Sequence, residues 1–306
     1  MSSEHKILVT GAAGNLGAIG RTLTELLLAR GKNVRAMVRR EDERSNALRE
    51  MGAEVVVGDL LEVKDIYRIV EGCQSVYFGM SVSDSYLAAT VNVAAVAKHF
   101  GVEAFVNMSQ MTVSQMSITE TTSSPQQKQH WLAEQALEWS DLPVINVRPT
   151  AFLDGFFLQF SALSIRESDE IWVPLGMGRT SPIAGTDVAA AVTEIMVDPT
   201  KHIGKAYNLT GAQAADMVFY AEEFSQALGR PITYVDAPIG PFREKLRSLG
   251  LSEHVVEHLT TMSELHRVGS YDRMTDDFVN LTGRRPITLR EFVQHNADAF
   301  KPWDAQ

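Results

Sequence analysis

Residues 7–39 commit this chain to one supersecondary unit. Ile7-Leu8-Val9-Thr10 is a short, β-branched apolar run; Gly11, Gly14 and Gly17 follow at once in TGAAGNLG, and Leu23, Leu26, Leu27 and Leu28 then recur at helical spacing. A second apolar run, Val34 to Val38, begins after Gly31. Strand, tight turn, helix and strand in that order form a β-α-β crossover, the building block of a parallel sheet. At such a turn the glycines have separate tasks. Gly11 lets the chain reverse, Gly14 lets backbone N–H groups approach a pyrophosphate, and Gly17 lets the helix lie close to the strand. The positive end of the helix dipole then faces the phosphates. The turn, with Asn15 and Leu16 inside it, reads as a dinucleotide-binding site.

The end of the second strand selects the nucleotide. A site for NAD needs Asp or Glu there to bond the ribose 2′-hydroxyl. This strand ends Ala36-Met37-Val38-Arg39-Arg40. Two guanidinium groups can clasp a 2′-phosphate bidentately, which makes NADP(H) the expected cofactor. The other reading is a solvated basic pair ahead of Glu41, Asp42 and Glu43.

Composition narrows the class. The 306 residues are 45% hydrophobic and 22% charged, ordinary for a globular chain, and the formal net charge of −10 opposes direct association with nucleic acid or an anionic membrane. A single cysteine, Cys73, excludes an internal disulfide. The short MSSEHK lead-in and the lack of any apolar run near the roughly 20 residues that span a bilayer point to a cytoplasmic protein.

Further along, strands are expected at 53–57, 75–78, 104–108 and 143–147, with helices at 43–51, 61–70, 84–100 and 127–140 between them. This alternation is that of an α/β, doubly wound parallel sheet. In the helix at 84–100, the small residues Ala88, Val91, Ala95 and Val96 are taken as the packing face, and 112–129 as a long loop over the sheet edge. Strands at 171–173, 206–209 and 232–235, and helices starting at Thr186 and Asp216, lead into a stretch at 242–299 that is helical almost throughout. The expected division is a nucleotide-binding domain over 1–155 and a smaller, mostly helical lobe over 156–306, partly interleaved with the sheet.

Strand ends border the site in such a sheet, so Gly79, Met80, Met108, Ser109, Pro149, Thr150 and Phe152 join the cofactor-binding set. Asp59 and Leu60 belong with them, although Asp59 is also placed to cap the following helix. Phe156, Phe157 and Phe160 form either a pocket wall or plain core. Asp187 reads as a helix cap, and His254, Glu257 and His258 as a solvated helix face. Neither His-Glu-x-x-His nor Cys-x-x-Cys occurs, so a metal site has no support in the sequence.

TGAAGNLG, MVRR, VGDL, NVRPTAFLDGFF, AGTDVAAAV and YNLTG followed by ALGRPITYVDAP, in this order, resemble the NmrA-like group of atypical short-chain dehydrogenase/reductases over essentially the whole chain. The resemblance implies a Rossmann-type NADP(H) domain, a small C-terminal lobe and a site between them. It also implies that Asp59 and the following amide meet the adenine edge. Typical members of the wider superfamily use a Tyr-x-x-x-Lys pair; none of the 7 tyrosines here has lysine four residues on. In the equivalent helix stand His130 and Glu134, as in several NmrA-like quinone reductases. One reading puts His130 at the cleft, titrating near neutrality, with Glu134 orienting it; the other makes them an exposed i,i+4 surface pair. Met111, His130 and Phe156 are the expected substrate contacts.

Loss of the dyad suits acceptors whose conjugation spreads the incoming charge, quinone-like or azo compounds, better than simple ketones. The implied function is an NADPH-dependent oxidoreductase of such acceptors, or a sensor that binds NADP(H) and a regulatory protein partner. The expected partners are otherwise a small-molecule substrate and a further copy of the chain.

Overall fold

The computed structural model describes residues 5–14 and 19–302. Its centre is a seven-stranded, wholly parallel sheet of β1 (Lys6–Val9), β2 (Asn33–Val38), β3 (Glu54–Val57), β4 (Ser75–Phe78), β5 (Ala104–Met108), β6 (Val144–Pro149) and β8 (Ala206–Leu209), ordered β3-β2-β1-β4-β5-β6-β8. The chain reverses its direction of travel across the sheet between β1 and β4, the position where open α/β sheets bind ligands.

Period-two alternation builds the layers. Ile7 and Val9 face one side with Val34, Ala36, Val106, Ile145 and Val147, against α1 (Ile19–Ala29) and α7 (Gly185–Val197). Leu8, Val76, Phe78 and Phe105 face the other, against α3 (Val63–Val70), α4 (Tyr86–His99) and α5 (Pro125–Trp139). The short helix α2 (Glu43–Glu50) is capped by Asp42. Strand β8 and helix α7 come from the second half of the chain and still complete the sheet layer.

A second apolar cluster around Leu153, Phe157, Tyr220, Phe224, Phe292 and Phe300 holds the C-terminal part together. It gathers α6 (Ala162–Ser168), α8 (Met217–Leu228), α12 (Leu289–His295) and a separate parallel pair, β7 (Glu170–Val173) with β9 (Thr233–Asp236). Helices α9 (Ile239–Ser248), α10 (Glu253–Arg267) and α11 (Asp277–Thr282) complete the structure.

Several expectations need correction. On α4, Ala88, Val91 and Ala95 are exposed; Ala89, Val93, Val96 and Ala97 make the packing face. That helix is apolar nearly all round, so periodicity cannot say which stripe is buried. Helix α5 begins at Pro125, before residue 127, because the Ser124 hydroxyl accepts from the Gln127 amide and proline takes the first turn. Asp59 does not cap α3. Its Oδ1 accepts from the Leu61 amide at 3.0 Å, and the helix starts only at Val63. Asp187 is no cap either: it lies in the first turn of α7, 1% exposed, and accepts from the Ile287 amide at 2.8 Å while pairing with Arg284. On α10, His258 is buried against Ser124 and His254 is half-buried against Gln126 at the start of α5, while Glu257 stays partly exposed and pairs with Arg243.

Candidate functional site

At the switch point, Thr10 closes β1 onto β4. Its hydroxyl accepts from the Gly79 amide and donates to the Gly79 carbonyl, both at 2.9 Å. Gly11 follows with φ +67°, a conformation glycine adopts without strain, and a Cβ there would stand 2.6 Å from the Gly79 oxygen. The Gly14 amide donates back to the Gly11 carbonyl at 3.0 Å, forming the tight turn. Asn15, Leu16 and Gly17 lie outside the described residues. Close helix packing is instead visible at Gly20: a Cβ there would meet the Gly11 oxygen at 2.5 Å and Ala12 Cα at 2.8 Å. The signal for Gly20 was its place three residues beyond the triplet.

Arg39 and Arg40 leave β2 with side chains 82% and 79% exposed. The nearest acidic group to Arg39 is Asp59 Oδ2 at 3.4 Å, which puts the end of β2 beside the Asp59-Leu60 turn after β3. Sequence reasoning passed over Arg44. Its guanidinium donates to the Ala13 carbonyl at 2.9 Å and to Asp42, tying α2 to the glycine turn.

Farther along the same edge, Met80 leaves β4 half-buried, and Met108 ends β5 with its carbonyl accepting from the Tyr86 hydroxyl at 2.9 Å. Ser109 is 4% exposed and its amide donates to the Val147 carbonyl; Pro149 ends β6, and the Thr150 amide donates to the Leu209 carbonyl. Phe152 is half-buried and bridges to Ile183. Among the described residues, the buried Ser109 Oγ, Gln110 Nε2, Thr112 Oγ1, Gln127 Oε1, His130 Nδ1 and Thr150 Oγ1 have no hydrogen-bond partner. Buried polar atoms are nearly always paired, and six of the eleven orphans among the described residues lie beyond β5 and β6 and on α5. The positive-φ turn at Gly11 and these orphans fit a nicotinamide dinucleotide laid across the strand ends.

Met111 is 1% exposed and opens a short 3₁₀ turn, Met111–Gln115. Phe156 lies half-buried in a π-helical stretch, Asp154–Ser161, edge-on to His266 at 5.3 Å, whereas Phe157 is fully core and Phe160 packs toward α9.

His130 is 9% exposed, with its ring 4.0 Å from that of Tyr86. Glu134 does not touch it. That carboxylate takes Arg148 of β6 bidentately, Nε to Oε1 at 2.9 Å and Nη2 to Oε2. The histidine pairs instead with Gln126, Nε2 to Nε2 at 3.1 Å. The Ser83 amide donates to Gln126 Oε1 at 3.1 Å, and His254 Nε2 lies 2.8 Å from the same oxygen, so the Gln126 amide group faces His130 as donor. His130 Nε2 therefore accepts, and Nδ1 carries the proton. Burial, with a smaller push from His258, lowers its pKa to about 3. The expectation of titration near neutrality is corrected accordingly: burial favours the neutral imidazole of His130.

No helix among the described residues is long and apolar enough to cross a membrane, and no described cluster of His, Cys, Asp or Glu is arranged to hold a metal ion. Cys73 is buried.

A family profile described as NAD(P)H-binding matches residues 11–199. The NAD(P)H azoreductase of Xenophilus azovorans is 29% identical over 303 residues, covering 96% of this chain and 99% of that protein. The NADPH-dependent quinone oxidoreductase of Escherichia coli, solved with NADPH, aligns with a TM-score of 0.82 at 22% identity over 95% of this chain and 99% of its own. NmrA, a negative transcriptional regulator solved with NADP, aligns with a TM-score of 0.77 at 19% identity over 96% and 95%. The fold is shared with both structures, in line with the NmrA-like resemblance of the motifs.

Proposed function

This chain belongs to the NAD(P)H-binding family, and from that premise we propose that it is an NADP(H)-dependent oxidoreductase of conjugated, electrophilic acceptors, quinone-like or azo. The observation that carries the choice of acceptor is His130. Reduction of an unactivated ketone needs a proton donor for the alkoxide that forms. In the helix where relatives carry that donor, this chain holds an imidazole with its pKa near 3, which has no proton to give beyond its neutral Nδ1–H. Such a group can hydrogen-bond developing negative charge without titrating. An acceptor that delocalises its charge needs no more, and takes its proton from water. The azoreductase and quinone oxidoreductase likenesses support the same class.

Bound NADPH supplies the hydride. The backbone of the Gly11–Gly14 turn receives the pyrophosphate, and Arg39 and Arg40 the 2′-phosphate. Ser109 and Thr150 offer their unpaired hydroxyls toward the nicotinamide end, with Met80, Met108, Pro149 and Phe152 around it. Met111, His130 and Phe156 face the acceptor.

The test is NADPH oxidation followed by absorbance with a panel of quinones and azo dyes. Turnover is expected, with no inflection in kcat near the ordinary histidine pKa of 6.5. His130→Ala is expected to lower kcat about tenfold while leaving the pH profile unchanged. Absence of turnover with every acceptor would overturn the reductase reading, and a protonation step near neutrality that vanishes in the variant would overturn the neutral-donor role. Arg39→Asp separates the two nucleotides: the NADPH Kd is expected to rise roughly a hundredfold and the NADH Kd by less than about threefold. Equal weakening of both would remove the 2′-phosphate assignment.

A further inference from the structure

The irregular segment between α10 and α11 runs from the turn after β5 to β8. The Ser270 carbonyl accepts from Gln115 Nε2 at 3.2 Å, the Arg273 carbonyl from the Ser181 hydroxyl at 2.6 Å, and the Thr275 amide donates to Thr210 Oγ1 at 3.2 Å. The Thr275 hydroxyl donates in turn to the Asn208 carbonyl. This segment is thus fastened to the turn after β5 on one side and to β8 on the other. Between those fastenings the half-buried Arg273 side chain reaches the turn after β5, where Nη1 donates to Ser114 Oγ at 2.8 Å and approaches the Met111 carbonyl at 3.5 Å.

Most arginines in this protein sit against a carboxylate: Arg148 has Glu134, Arg179 has Asp272, Arg267 has Asp236, Arg284 has Asp187. Arg273 has no carboxylate partner among the described residues, and its Nε and Nη2 make no hydrogen bond within them. A guanidinium in this state has donors to spare for an anion. Burial, and after it the charge of Arg148, hold its pKa below the usual arginine value, which places a second guanidinium, the one paired with Glu134, near this edge. The unpaired Thr112 Oγ1 and Gln110 Nε2 lie in the same turn as Met111. In a chain of net charge −10, a cation left open beside the acceptor-facing residues is a specificity feature.

We propose that Arg273 anchors an oxyanion substituent, such as a sulfonate or carboxylate, carried by the flat acceptor bound at Met111, His130 and Phe156. The proposal rests on the reductase reading. A purely structural Arg273, pinning the 3₁₀ turn through Ser114 and Met111, would make no distinction between charged and uncharged acceptors.

Equilibrium binding of a naphthoquinone sulfonate and of the parent naphthoquinone to the NADP⁺-loaded full chain distinguishes these roles, with turnover of both measured alongside. The wild type is expected to bind the sulfonate at least about tenfold more tightly than the parent, with the advantage shrinking as salt is raised. Arg273→Met should erase that advantage while changing the Kd of the parent less than about twofold, and Arg273→Lys should keep most of it. A wild type without preference, or an Arg273→Met protein that loses both ligands alike, overturns the proposal. Selective binding of the sulfonate without turnover of either compound would instead overturn the reductase reading and leave the anion site standing.

Discussion

Lowering the pH from about 7 to about 5 is expected to remove on the order of 5 kcal/mol of folding stability through three buried histidines. His130, His258 and His266 are 9%, 7% and 0% exposed, and burial depresses their pKa values from 6.5 to about 3, 4 and 4. All three are held as neutral hydrogen-bonding groups. His258 Nδ1 meets Ser124 Oγ at 3.0 Å, while His266 donates from Nδ1 to the Met262 carbonyl and stacks on Tyr271 at 3.9 Å. Each pKa is lower in the folded chain than in the unfolded one, so below 6.5 the unfolded state takes up protons that the folded state refuses. Stability is full above that value and falls as pH drops toward the folded pKa values, each histidine contributing about 1.4 kcal/mol per pH unit within the window. The buried carboxyls of Asp154 and Asp187, pushed up by burial, act in the opposite sense, in a window that begins near and above 3.8. Urea midpoints measured across this range check the expectation. A midpoint that stays put would show that the three rings are not held neutral, and replacing all three with glutamine should flatten the dependence.

Glu134→Ala is expected to destabilise the protein by about 3–5 kcal/mol, because it strands a guanidinium whose side chain is only 19% exposed. Removing both charges together is different: Glu134→Leu with Arg148→Met takes away the desolvation of two ions as well as their attraction, and most of the loss should be recovered. The consequence reaches the site, since Arg148 immediately precedes Pro149 and Thr150 at the end of β6. In Glu134→Ala, affinity for NADPH should fall along with the melting temperature. A loss below about 1 kcal/mol would mean that the pair behaves as a surface bridge.

The pairing itself was out of reach of sequence reasoning. Helical spacing places Glu134 on the same face as His130 and says nothing of Arg148, which lies on a strand fourteen residues later. Burial was equally hidden. The reading of His130 and Glu134 as an exposed i,i+4 pair fails on burial, since Glu134 is 4% and His130 9% exposed, and the reading in which Glu134 orients His130 fails on the partner, which is Arg148. The histidines of α10 look like a polar face because histidine is polar, whereas in the fold His258 is buried against Ser124 and His254 half-buried against Gln126 at the start of α5. On α4 the apolar residues surround the axis, and only contact with the sheet and α5 picks out the buried stripe.

Local chemistry, by contrast, is written in the chain order. The β-branched run before Gly11, the leucines after it and the arginines closing β2 each report on neighbours a few residues away. Strand limits at 75–78, 104–108 and 206–209 were therefore legible without any knowledge of the fold. A parallel sheet, its switch point and a nucleotide-binding turn follow from such short-range signals. The acceptor side does not, because Thr10 with Gly79, Glu134 with Arg148 and Arg273 with Ser114 are pairs 14 to 159 residues apart, and only the closed fold decides which donors are satisfied and which are left for a ligand.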